Sequence, residues 1–147
     1  RFHAVIWPAM LLAAGDPKIS KQAWALVPRM IEARDLARGD DRLHEVHPEA
    51  SFRQMKIQLH PAEDPDVVRI RRSKKTWNGL MERRRLLQDV GIVLPEDDPA
   101  LDGVVSDDVV DAAAAAWSAL RIVAGTATST PEEPERSSDG RQVAVWR

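Results

Sequence analysis

The chain has 147 residues, 44% hydrophobic and 30% charged, with a formal net charge of −2, a balance that suits one globular domain. It contains no cysteine, which excludes disulfides, thiolate metal sites and cysteine nucleophiles. It shows no apolar run of the ~18 residues a membrane span needs and no secretory leader pattern, so the expectation is a cytoplasmic protein with no membrane partner.

The sequence opens on Arg1 rather than Met and reads as a processed or excised piece. Residues 2–14 are apolar, interrupted by Pro8 and closed by Gly15-Asp16-Pro17, and their pattern leaves helix and strand open. Ser20 is placed to cap a helix running to about Arg38, with Trp24, Val27, Met30 and Ile31 inward at helical spacing. Pro28 inside that pattern predicts a kink or restart, and Gly39-Asp40-Asp41 a turn. Residues 42–47 end at Pro48, which disfavours helical geometry for His47, so an extended strand is expected. A short helix follows from near Pro48, carrying Phe52 and Met55.

Residues 61–66, with two prolines and three acids, predict a loop. Thr76 or Asn78 starts the next helix, with Leu80, Leu86, Leu87 and Val90 inward and Gly91 as its stop. Residues 95–103 form a second acidic loop. Ser106 is then expected to cap a helix over 107–125, with Asp107 and Asp108 at its positive end. Beyond Asp111 this helix is apolar on nearly every side, with five consecutive alanines, which predicts deep burial. Residues 126–140 are rich in Ser, Thr, Pro and Glu and predict a mobile loop, and Val143, Val145 and Trp146 a final short strand. Helices with about three strands make an α/β fold, in one domain over 1–147.

Charge is unevenly spread. Residues 69–85 hold eight Lys/Arg against one acid, Glu82, in an otherwise acidic chain, a pattern that attracts phosphate. A solvated helix face is the plainer explanation of the same run. The stretch RLHEVHPEASF, residues 42–52, invites comparison with the zinc pattern H-E-x-x-H. Its spacing is H-E-x-H, and on a strand His44 and His47 point to opposite faces, which no single zinc ion could use. A strand end with polar residues at the sheet margin explains it more simply.

Asp108 and Asp111 stand three apart on one helix face. Asp107 and Asp108 are accounted for by the helix terminus, whereas Asp111 precedes a wholly apolar run and needs another reason. A capping or solvated role is one. The other is that a strand acid and two helix acids make an oxygen-ligand site suited to Mg²⁺ or Mn²⁺. Such ions serve phosphodiester cleavage, where acids hold the metal and Lys/Arg hold the nucleic-acid backbone.

Several blocks together resemble a known family. They are Glu45-Val46-His47-Pro48-Glu49 with Ser51-Phe52, Ser73-Lys74-Lys75-Thr76 with Gly79 and Glu82-Arg83, and Asp107-Asp108-Val109-Val110-Asp111-Ala112. The run from Ser20 to Pro28, and the ending with Pro131-Glu132-Glu133-Pro134-Glu135-Arg136, Asp139-Gly140 and Trp146, fit as well. In this order they resemble the predicted RNase H-like nucleases, a family catalogued as a domain of unknown function. The resemblance implies a ribonuclease H-like α/β fold, a mixed central sheet flanked by helices. It implies Glu45 as the strand acid and Asp108 with Asp111 as the helix pair, catalytic through Mg²⁺ or Mn²⁺. It implies a basic motif of Lys74, Lys75, Thr76 and Arg83 that contacts or positions the phosphates of DNA or RNA. The expected function is metal-dependent cleavage of nucleic acid, and the alternative is a non-catalytic module binding nucleic acid or protein. Two features depart from the pattern. The aspartate-bearing first hairpin of that fold is missing, as if the chain began after it, and residues 53–72 are longer and more acidic than the resemblance implies.

Overall fold

The computed structural model describes residues 21–37, 40, 42–61, 64, 68–136 and 142–147. It is an α/β structure of four helices and one small mixed sheet. Two compact units divide it, one from Arg1–Glu45 with Thr130–Val145, the other from Val46–Ser129 with Trp146–Arg147. The expected features within residues 1–20, the side chain of Met30, most of the 61–66 loop and the Asp139-Gly140 pair lie outside the described residues.

In the first unit, helix α1 (Lys21–Ala37) runs through Pro28. Trp24 and Ile31, expected inward, are exposed, and only Val27 of the described members of that face is half-buried. A side-chain pattern at helical spacing gives a direction but supplies no neighbour to cover it. Beyond α1, Arg42 grips Asp40 through its backbone N–H at 3.0 Å and its guanidinium at 2.8 and 2.7 Å. The Arg42 contacts pull the Asp40 carboxyl down to about 2.

The sheet is built from β1 (Glu45–Val46), β2 (Ser129–Arg136) and β3 (Gln142–Trp146) in the order β1-β3-β2. The loop expected over 126–140 is thus corrected, because its residues 129–136 form a strand. Polar composition and two prolines argued against one, yet β2 lies at the sheet edge, where a residue lacking an N–H breaks no inner ladder. Thr128 and Arg147 extend the pairing with reciprocal backbone bonds of 2.9 Å.

The second unit is a three-helix core. Helix α2 (Pro48–Leu59) starts on proline, whose missing N–H costs nothing at a first turn. Ser51, Phe52 and Met55 then share its buried face. Helix α3 (Trp77–Asp89) takes Thr76 as its cap, the hydroxyl accepting from the Gly79 N–H at 3.2 Å. It stops at Gly91, whose φ of 90° lets Ile92 N–H reach the Leu87 carbonyl at 2.8 Å and Gly91 N–H the Gln88 carbonyl at 3.0 Å. A short 3₁₀ turn (Pro99–Leu101), capped by Asp98, interrupts the acidic loop.

Helix α4 (Ser106–Val123) follows. Its cap position is Val105, with no side-chain cap bond, so Ser106 begins the helix rather than capping it. Nor is α4 deeply buried. Val110, Ala114, Trp117 and Ser118 face the core, while Leu120 and Val123 are 64% and 89% exposed. The alanine run looks apolar on all sides, but burial needs a neighbour on each side, and α4 packs only against α2 and α3 among the helices.

Phe52, Met55, Leu86, Leu87, Val110, Ala114 and Trp117 form the core these three helices share. Inside it, the fully buried hydroxyls of Ser51 and Ser118 meet at 2.7 Å, joining α2 to α4. Each hydroxyl leaves water only because the other satisfies it. Ser51→Ala is expected to cost about 1–3 kcal/mol by stranding Ser118, and Ser51→Ala/Ser118→Ala to recover most of that loss. Urea denaturation of the single and double variants measures the coupling.

Candidate functional site

The site grows from the loop joining residue 72 to α3. Thr76 donates its hydroxyl to the Ser73 carbonyl at 2.8 Å while its backbone N–H donates to the same oxygen at 3.0 Å. Gly79 closes the packing, since a Cβ there would lie 1.9 Å from the Ser73 carbonyl oxygen. The Ser-Lys-Lys-Thr loop is thus pressed onto the first turn of α3, and only glycine admits the contact.

One turn later Arg83 locks that arrangement. It is only 2% exposed and spends its guanidinium internally. Nε and Nη2 hold the Glu49 carboxylate at 2.7–3.1 Å, and Nη1 donates to the carbonyls of Arg72 at 3.0 Å and Gly79 at 2.9 Å. The Phe52 ring lies 5.6 Å below the guanidinium carbon. A charge can sit here because a planar, five-donor group meets a carboxylate and two carbonyls together. Arg83, expected as a phosphate contact, is instead the brace joining α2, α3 and the 72–76 loop. Thr76 likewise serves the backbone. Glu49, quoted in the sequence motif but given no role there, is the acid that holds this brace.

The brace sets Lys74 against the first turns of α4. Its ammonium bonds the Asp111 carboxylate and lies 3.7 Å from Asp107 Oδ2. Asp107 and Asp111 are one turn apart, both half-buried, and repel each other unless a cation lies between them. The bond to Asp111 holds the Lys74 ammonium above its ordinary pKa, against the opposing pull of burial, with Asp107 and Glu49 adding attraction. Asp108 is exposed, so the carboxylate facing Lys74 beside Asp111 is Asp107. Sequence reasoning assigned Asp107 to the helix terminus. The spacing of four, equal to one helical turn, was the signal that could have ranked it above Asp108.

Asp111 keeps one buried oxygen, Oδ1, without a hydrogen-bond partner. A hard cation takes such an oxygen readily. Among the described residues no three His, Asp or Glu side chains gather as a metal-holding group, so a cation in this unit would rest on Asp107 and Asp111. That donor set fits Mg²⁺, which commonly takes one or two carboxylates and fills its shell with water and substrate phosphate. Glu45, half-buried on β1, belongs to the first unit, and His44 and His47 are exposed.

The other basic residues of 69–85 divide by exposure. Arg84 donates to the carbonyls of Leu94 and Pro95 at 3.2 and 3.4 Å. Arg71, Arg72, Lys75 and Arg85 are exposed, with side chains that bond nothing among the described residues. Lys75 is therefore the member of the expected basic motif left open to a phosphate, next to Lys74 on the same loop.

The model of a family described as "Protein of unknown function (DUF429)" matches residues 9–136. No curated protein and no solved structure matches the chain. Among the described residues no helix is long and apolar enough to cross a membrane.

Two outcomes follow from the brace and the bridge. Arg83→Met should cost about 3 kcal/mol in urea denaturation, the low end for a broken buried pair because Glu49 keeps contact with water. Arg83→Lys should not restore it, since an ammonium cannot span Glu49 and both carbonyls. Because the Lys74 pKa is raised on folding, its contribution is complete below about pH 10.5 and fades as pH rises through the folded value. The melting temperatures of the parent chain and Lys74→Met should therefore differ by a constant amount from pH 8 to 10 and converge above that.

Proposed function

The chain belongs to that family of unknown function, and from this premise we propose that it is a metal-dependent nuclease of ribonuclease H-like type, cleaving phosphodiester bonds in DNA or RNA. One observation carries the reading: Asp107 and Asp111 lie side by side on α4 facing a cation, and Asp111 retains a buried oxygen with no partner. Asp111 through Oδ1, with Asp107, would hold Mg²⁺ or Mn²⁺, and Asp108 and the strand acid Glu45 complete the acidic set the family pattern implies. The ion would neutralise phosphate charge and activate a water.

The chain's own residues divide the remaining work. Lys74 keeps its proton throughout the neutral range, so it acts as a charge and a hydrogen-bond donor, never as the base. With a phosphate in the site, its Nζ can donate to a non-bridging oxygen while remaining within reach of the acid pair. Lys75, exposed beside it, and Arg71 and Arg72 on the preceding segment supply the sequence-independent attraction a polyanion needs. Arg83, Glu49 and Gly79 touch no substrate and hold the lysine loop in place.

A second reading draws on Lys74 itself. Its ammonium already occupies the place of a cation between the two carboxylates, which suits a non-catalytic module that binds nucleic acid or protein on the same fold.

Cleavage of single- and double-stranded DNA and RNA with Mg²⁺ or Mn²⁺ separates the two. Asp111→Asn should lower cleavage by about 100-fold or more and weaken Mn²⁺ binding in calorimetry, with an unchanged circular dichroism spectrum. Glu45→Gln should lower cleavage as well. Undiminished cleavage by both variants would remove the acids from the chemistry, and salt-sensitive binding without turnover would favour the second reading.

A further inference from the structure

Behind the loop that carries Lys74, α3, the 94–104 segment and the start of α4 enclose an open groove of about 590 Å³. Its floor is apolar, with Leu80, Met81, Leu101 and Val109 half-buried there and Trp77 and Val104 at 72% and 45% exposure. A tryptophan so exposed in an apolar concavity loses hydrophobic free energy unless something covers it. Trp77 is not needed for the helix it begins. Thr76 supplies the cap and Gly79 the close packing.

The rim decides what can cover it. Glu96, Asp97, Asp98 and Asp102 all line the groove and are exposed, against one cation, Arg84. Arg84 spends its donors on the carbonyls of Leu94 and Pro95, which shape the loop, so its hydrogen bonds are unavailable to the acids. Three negative charges therefore remain over an apolar floor. Such a rim repels phosphate, which makes a nucleic acid the wrong occupant. An uncharged apolar segment would bury the floor but leave the acids without partners. A segment carrying both Lys/Arg and a large apolar anchor satisfies floor and rim together.

We propose that this groove docks a basic protein segment, its apolar side chains over Trp77, Leu80 and Met81 and its Lys/Arg paired with Glu96, Asp97 and Asp102. The groove is of the size that takes a few anchor side chains rather than a whole domain face. An amphipathic helix, with anchors three or four residues apart, presents that combination. Asp98 also caps the 3₁₀ turn and so fixes the rim as well as charging it. The site is separate from the Asp107–Asp111 pair and does not depend on any nuclease activity.

The probe is a synthetic amphipathic peptide of alternating Leu-rich and Lys-rich faces, titrated into the full chain by calorimetry. An acidic peptide with the same Leu face and a Lys/Ser peptide without it serve as controls, and a single-stranded oligonucleotide tests the other class of partner. The Leu/Lys peptide should bind, both controls should bind at least tenfold more weakly, and affinity should fall with added salt. Trp77→Ala and Glu96→Lys/Asp97→Lys should each weaken it about tenfold or more. These positions are exposed, and circular dichroism confirms that each variant is folded. Failure of the Leu/Lys peptide to bind at millimolar concentration, equal binding by Trp77→Ala, or loss of oligonucleotide binding in Trp77→Ala would each overturn the proposal.

Discussion

The guanidinium of Arg83 is the contact on which the second unit's chemistry depends. Buried under α2 and α3, it satisfies a carboxylate from the start of α2, a carbonyl from its own preceding turn, and a carbonyl from residue 72. A buried charge is tolerated only when its donors are filled, so the three partners must arrive together. That requirement couples the ends of two helices to one loop. It also explains the fit between Gly79 and the Ser73 carbonyl, because the loop cannot lie flat on α3 if a side chain intervenes.

From that loop the electrostatics of α4 follow. Asp107 and Asp111 sit where the helix terminus favours negative charge, yet two carboxylates a turn apart raise each other's free energy. Lys74 offsets the repulsion and is itself held charged by them. The result is a small set of acids and one lysine whose positions are set by a buried arginine rather than by the surface residues beside them. The open oxygen of Asp111 lies inside this set, which is why the acids make a candidate metal site rather than only a helix cap.

The basic segment shows how a sequence pattern can mislead about use. Residues 69–85 read as one positive stripe, but the structure sends their charges to different tasks. Arg83 is internal, Arg84 supports the 94–95 loop, Lys74 bridges acids, and Arg71, Arg72 and Lys75 face solvent. Similarly, the alanine run of α4 and the apolar face of α1 looked inward from spacing alone. Spacing selects a face, whereas burial depends on whether another element packs on it.

The sequence by itself determined the positions of the local elements in the second unit. Pro48 begins α2, Thr76 caps α3, Gly91 ends it, and Phe52, Met55, Leu86 and Leu87 fall at core spacing, because capping, proline geometry and helical period act within a few residues. It also marked Asp111 as the acid without a local reason, and Val143–Trp146 as a strand. Only the tertiary structure decided that Glu49 pairs with Arg83, that Asp107 rather than Asp108 faces Lys74 beside Asp111, and that residues 129–136 extend along a sheet edge. Each of these turns on partners far apart in the chain, whose meeting is set by packing and by the need to satisfy buried charge and backbone, and no local pattern encodes that.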